Sequence, residues 1–289
     1  MQTPQVQLVE CPRDAMQGIK TWIPTPHKIA YLQSLLNCGF HTLDFGSFVS
    51  PKAIPQMADT AEVLAGLDLS RTKTELLAIV ANLRGAEQAA KHKQIKYLGY
   101  PFSISENFQM RNTHQTISES VHILKEICAL SQSSNQQVVA YLSMGFGNPY
   151  GDPWSPELVA HWVGKLVEMG IEIISLSDTV GTARIESIER AFSALIPQYP
   201  QVVFGAHLHT NPKHWHEKLT ASLRGGCRRF DGAIQGFGGC PMAMDALTGN
   251  MPTEKMLSHF TAQKMETGVS WMAFEAAHNK ATALFTQYT

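Results

Sequence analysis

Short apolar runs rich in β-branched residues alternate with longer amphipathic segments along most of the chain. The pattern predicts strands near 5–10, 41–46, 75–81, 94–100, 137–144, 171–177, 201–208 and 229–234. Helical patterns fall between and after them, near 27–38, 56–66, 84–92, 115–132, 156–169, 184–197, 212–225 and 253–265. Gln137–Ser143 and Ile171–Leu176 give clear strand signals, and Gly170 and Gly226 stand where helices should stop. Connections this long cannot be hairpins, so neighbouring strands should run parallel. Eight β-then-α units predict an α/β fold of the (β/α)8 TIM-barrel type. An open doubly wound sheet is the alternative, because alternation does not fix strand order. No Pro/Gly/Ser-rich linker divides the chain. The expectation is therefore one catalytic domain over 1–289, with the barrel at about 5–265 and a C-terminal helical extension at about 266–289.

Composition narrows the classes. A chain of 289 residues can bury a core that needs no disulfide. A net charge of -1, with no basic stripe, argues against nucleic acid and anionic membranes as partners. Cys11, Cys38, Cys128, Cys227 and Cys240 are scattered and odd in number, the pattern of reduced thiols. No apolar run approaches the ~20 residues of a membrane helix, and the N-terminus shows no leader pattern. A cytoplasmic protein is expected.

In a barrel enzyme the chemistry sits at the C-terminal ends of the strands. Unusual polar residues collect there: Pro12-Arg13-Asp14, Asp44 to Ser47, Ser177-Asp178-Thr179 and His207-Leu208-His209. Residues two apart on a strand share a face, so both imidazoles should point into the barrel mouth. Taken alone, the histidine pair fits a hydrogen-bonded core about as well as a metal site. Acidic residues at neighbouring strand ends favour the metal, with Asp14 as third ligand. Such a mixed set suits Mg²⁺ or Mn²⁺, with Zn²⁺ and Fe²⁺ also compatible. Arg13 at the mouth can stabilise a developing enolate or carboxylate. Asp44 and Asp178 could simply cap loops or orient a neighbouring arginine. Gly236 to Pro241 matches no phosphate-loop spacing, but flanking glycines make Cys240 a candidate thiol over the mouth.

Across roughly 6–265 the chain resembles the 3-hydroxy-3-methylglutaryl-CoA lyase family of metal-dependent lyases and synthases. The matching stretches are Val9-Glu10, Pro12-Arg13-Asp14 with Gln17, Ile23 to Pro26, Ser47 to Lys52 and Pro55-Gln56-Met57. Asn82-Leu83 with Gly85, Asp178-Thr179 with Gly181, His207, His209, Gly238 to Pro241, Gly249-Asn250 and Thr253-Glu254 continue the match. The resemblance implies cleavage of an acyl-CoA substrate, hydroxymethylglutaryl-CoA, to acetyl-CoA and acetoacetate. It implies Asp14, His207, His209 and Asn250 around Mg²⁺ or Mn²⁺, and Arg13, Asp14, His207 and Cys240 in catalysis. Gln17, Asp44, Ser47, Asn82, Asp178 and Thr179 are implied around the substrate, and a homodimer is implied as the assembly. The chain departs from the family pattern at Ala15 and Ser177, where glycine is usual, at Asp44 for glutamate, and at Thr210 for aspartate. Its approach to Arg13 is one residue shorter, and the stretch from Cys240 to Asn250 one residue longer. The alternatives are a related lyase, aldolase or acyl-CoA/2-oxo acid synthase, and a barrel that only binds ligands.

Overall fold

The chain enters through β1 (Gln7–Glu10) and turns through α1 (Pro12–Gln17) into α2 (Thr25–Leu36). β2 (Thr42–Ser47), α3 (Thr60–Ala65), β3 (Glu75–Ile79) and α4 (Leu83–Ala90) follow. β4 (Ile95–Ser103) leads to α5 (Glu106–Thr113) and α6 (Ile117–Ser133). Then come β5 (Gln137–Ser143), α7 (Pro156–Glu168), β6 (Ile173–Asp178), α8 (Ile185–Gln198), β7 (Val203–Thr210), α9 (Trp215–Arg224) and β8 (Arg229–Gly232). A short β9 (Gly249–Asn250) precedes α10 (Thr253–Ala262) and α11 (Trp271–Tyr288). The structure, a computed structural model, describes residues 5–239 and 248–289. Cys240 and Pro241, singled out in the sequence, lie outside the described residues.

Strand order runs β6-β5-β4-β3-β2-β1-β8-β7, and β6 also pairs with β7. The sheet thus closes, and the open doubly wound alternative falls. All eight barrel pairings are parallel. Outward-facing residues such as Leu43, Phe45, Leu98, Phe102, Leu176 and Phe230 build the main core against the helices. The inward face carries a separate, smaller cluster of Leu77, Ile79, Tyr97, Val139, Tyr141 and Ile173. Most of the burial lies outside the strands, which leaves the barrel interior free for polar groups. None of the described helices is long and apolar enough to cross a membrane.

Three elements were not foreseen. Arg13 and Asp14 sit in the first turn of α1 rather than on the end of the first strand. Pro12 opens that helix, where its fixed φ and missing N–H cost nothing. Six residues are too few to show a helical period. In α5 only Phe108 and Gln109 are buried, so no apolar stripe marks it. β9 pairs antiparallel with β7, His209 against Asn250, and is only two residues long.

The C-terminal extension is helical as expected and packs along α2. Phe285 is fully buried, lies edge-on to Tyr31 at 5.9 Å and stacks on Phe237 at 4.2 Å. α11 therefore braces the segment that leaves β8.

Glu10 makes the second brace. It is fully buried at the end of β1. One carboxyl oxygen accepts from the Ile234 backbone N–H at 2.9 Å, the other from the Thr253 hydroxyl at 2.6 Å. These bonds tie β1 to the turn after β8 and to the first residue of α10. Burial pushes the Glu10 carboxyl up to about 8 from 4.5. A folded-state value above the unfolded one gives stability that is full below pH 4.5 and lost as pH rises through about 8. Glu10→Gln keeps an oxygen for Ile234 and cannot ionise. Urea unfolding at pH 5 and pH 8 should show a larger loss for the wild type than for this variant; equal losses would remove Glu10 as the source.

Candidate active site

β7 carries His207 and His209 on its inward face, with ring centroids 5.1 Å apart. Nδ1 of His209 lies 3.3 Å from the Gly249 carbonyl oxygen, which can only accept. Nδ1 therefore holds the proton and Nε2 the lone pair. Nδ1 of His207 lies 3.1 Å from Asp231 Oδ2, which directs the ring in the same way. Asp14, His207 and His209 can each offer one ligand atom, all within 4.8 Å of one another. One carboxylate and two imidazoles oriented from behind form a donor set that fits a divalent cation.

The electrostatics agree with that geometry. Burial works against the Asp14 carboxylate, but Arg13, His209 and His207 outweigh it and hold the group below its ordinary range. Burial, and then the neighbouring His207, lower His209 to about 4, so it is a neutral imidazole near pH 7. Burial also opposes charge on His207; there the hydrogen bond and charge of Asp231, with Asp14, win and raise it.

Arg13 is held at both ends. Its Nε and Nη2 donate to Asp44 of β2 at 3.1 and 2.5 Å. Its Nη1 donates to Asp14 at 3.2 Å and to Gln17 at 2.9 Å. Gln17 in turn donates to Asp14 at 2.5 Å. Burial opposes the guanidinium charge, but Asp44 and Asp14 overcome it and keep Arg13 protonated. Burial pushes Asp44 up to about 6 against the pull of Arg13, so the pair is ionised at neutral pH.

Arg13, Asp14, Gln17, His207 and His209 line a cavity of about 230 Å³ at the C-terminal ends of the strands. Arg13, Asp14, His207 and His209 belong to its polar lining; Val49, Ala53, Ile54 and Ala81 belong to its apolar lining. Gly238 packs directly against the site. A Cβ on it would stand 2.7 Å from the Asp14 carbonyl oxygen and 2.8 Å from Asn250 Nδ2, and its φ is +91°. Only glycine allows this approach. Asn250 is buried and donates its amide to Asp14 at 2.6 Å and to the Phe237 carbonyl at 2.8 Å. Its NH2 group faces Asp14, so a ligand role requires the amide to turn over.

The expected substrate contacts divide. Gln17 and Thr179 line the cavity; Asp44, Ser47, Asn82 and Asp178 do not. Asp44 holds Arg13. Ser47 Oγ accepts from the Val49 N–H and lies 3.4 Å from the Ile79 carbonyl. Asn82 caps α4 by accepting from the Gly85 N–H. Asp178 accepts from the Thr182 and Ala183 N–H groups and pairs with buried Lys218 at 2.5 Å. Lys218 also donates to the His209 carbonyl at 2.7 Å, so this pair fixes the end of β7 from outside. The bland reading of the two aspartates, orienting an arginine and capping a loop, describes where they stand.

Five further residues, not expected from the sequence, orient or line the site. Asp231 orients His207; its inward position on β8, two residues from Arg229, was a readable signal. Tyr141 lies edge-on to His207 at 5.2 Å. Phe108, Asn112 and Thr113 reach the cavity from α5, which had no signal at all.

Comparison with known proteins agrees with this geometry. The HMGL-like family model matches residues 5–280. The chain is 34% identical over 258 residues to the hydroxymethylglutaryl-CoA lyase of Bacillus subtilis, covering 89% of this chain and 85% of that one. It is 33% identical over 281 residues to a 3-hydroxy-3-isohexenylglutaryl-CoA/hydroxy-methylglutaryl-CoA lyase of Pseudomonas aeruginosa, covering 97% and 93%. A solved HMG-CoA lyase from Acinetobacter baumannii, in complex with coenzyme A and 3-methylmalate, superposes with a TM-score of 0.89 at 29% identity, over 97% of this chain and 91% of that one. With the metal-type donor set, the buried arginine and the closed barrel in one place, the chain belongs to the HMGL-like family.

Proposed function

We propose that this protein is a hydroxymethylglutaryl-CoA lyase, cleaving 3-hydroxy-3-methylglutaryl-CoA to acetyl-CoA and acetoacetate. The observation that carries this reading is the Asp14/His207/His209 cluster beside a permanently charged Arg13 in one cavity. Asp14, His207 and His209, with Asn250 as a fourth candidate, would hold Mg²⁺ or Mn²⁺, which when bound acidifies a substrate hydroxyl.

The chain's own residues supply the rest. The proton of the tertiary hydroxyl passes to the Asp14–His207 pair. Asp14 can accept it on the carboxylate oxygen that is not on the cation, whereas His207, with its Nδ1 proton directed at Asp231, has only Nε2 to offer and can take the proton only when that nitrogen is off the metal. Loss of that proton turns the hydroxyl into the ketone of acetoacetate as the adjacent C–C bond breaks. The bonding pair moves onto the acetyl-CoA carbon as a thioester enolate. Arg13, held in place by Asp44, stabilises the enolate oxygen. Protonation of the enolate carbon then gives acetyl-CoA, and we assign that proton to the Cys240 thiol on the strength of the GGCP stretch. The apolar lining of the cavity would take the 3-methyl group. The Pseudomonas aeruginosa relative, whose name includes a 3-isohexenyl substrate, supports a second reading in which a longer 3-alkyl chain lies against that lining.

A coupled assay should show acetoacetate release that depends on Mg²⁺ or Mn²⁺ and stops with EDTA; His209→Ala should lose both bound metal and turnover. No release with either metal would sink the substrate assignment, and full metal content in His209→Ala would sink the ligand assignment. Arg13→Met should lower kcat by about 10²–10³-fold or more with metal content unchanged; an unaltered kcat would remove Arg13 from the chemistry. Cys240→Ser should cut turnover while metal binding and the unfolding midpoint stay put, and undiminished turnover would reduce Cys240 to a loop residue.

A further inference from the structure

One register level below the histidines, the barrel interior holds buried polar side chains without a hydrogen-bond partner among the described residues. Tyr141 of β5, Ser175 of β6, Gly205 of β7 and Arg229 of β8 are successive register partners. Gly205 is two residues before His207, so this level faces inward too. Arg229 is 1% exposed, Ser175 fully buried and Tyr141 buried. Among the described residues, Arg229 Nε and Nη2, Ser175 Oγ and the Tyr141 hydroxyl are buried without a hydrogen-bond partner. No ion pair to Arg229 occurs among the described residues.

A buried guanidinium with no carboxylate in direct contact is a costly arrangement for a core. β7 contributes no side chain at this level: a Cβ on Gly205 would stand 2.5 Å from Ser175 Oγ and 3.3 Å from Arg229 Cδ. The space is left to the other three residues. A guanidinium can only donate, and both hydroxyls are free to donate. Water brings two protons that need acceptors of their own. A species that only accepts satisfies the guanidinium and both hydroxyls at once. Asp231, two residues along β8, is the nearby carboxylate; its Oδ2 holds His207 and its Oδ1 is unpartnered. Its charge disfavours anything multiply charged, such as phosphate.

We propose that the barrel interior binds one small monovalent anion, of chloride size, on Arg229, Ser175 and Tyr141. The anion neutralises Arg229 beneath the catalytic level. Its presence does not depend on which thioester the enzyme cleaves. Thermal unfolding of the whole protein in sodium chloride and in sodium gluconate, at equal ionic strength, tests this together with a bromide-soaked crystal. The wild type should melt about 2–4 °C higher in chloride. The gap should shrink in Ser175→Ala and vanish in Arg229→Met, and bromide should give anomalous density within hydrogen-bond distance of Arg229 and Ser175. Density without anomalous signal would show water in its place and overturn the proposal. So would an unchanged chloride gap in the variants. Bromide in the crystal with no gap in the wild type would mean binding at crystal concentration only, which also overturns it. If Arg229→Met does not fold, Ser175→Ala and the bromide crystal decide.

Discussion

A buried guanidinium at the barrel mouth needs anions around it, and Arg13 is gripped by two. Asp44 comes from β2 and Asp14 from the same short helix as Arg13. The pairing makes a positive charge tolerable where water is scarce, and it fixes that charge in direction. It also spends one oxygen of Asp14, so the other faces Asn250 and the two histidines. The orientation of the acid, the direction of the arginine and the spacing of the imidazoles all follow from how this ion pair is shared. A pair of this kind contributes little net stability, because desolvation takes back much of the attraction. Its value here is position.

Stability comes from elsewhere. The outer core between strands and helices is apolar, while the inner face changes character from bottom to top. Leu77, Val139 and Ile173 fill part of the interior. Above them stand Asp14, Asp44, Asp231 and both histidines. The barrel can carry this polar upper half because its outer wall supplies the burial. The braces around the site serve the same division. Lys218 grips the end of β7, Glu10 holds the turn after β8, and Phe285 presses on Phe237. None of them touches the cavity, yet each sets the place of a residue that does.

Much of the fold was legible because parallel barrel strands advertise themselves. Each of the eight runs was apolar, short and bounded, and each lies within a few residues of its expected place. The histidine pair was legible for the same reason: a period of two on a strand puts both rings inward. What stayed hidden had no period to show. α1 is six residues long and reads as a strand end; α5 has too small an apolar face. Partners were harder still. Asp178 and Asp44 are acids at strand ends, and sequence alone does not say whether such an acid faces the cavity or a buried Lys218 or Arg13. The partner lies 40 residues away in one case and 31 in the other.

Asn250 reaches Asp14 across 236 positions of sequence. The polar cluster draws on α1 at one end of the chain and on β7 and β9 near the other. A chain that has folded only its first strands owns Arg13 and Asp14 but no imidazole for them. The contacts that complete the site are among the most distant in sequence, and such contacts form slowly because so much chain must be ordered to bring them together. A cation that needs all three side chains therefore has nothing to grip until β8 has docked against β1. In refolding, the appearance of tight metal binding would time the closure of the barrel itself.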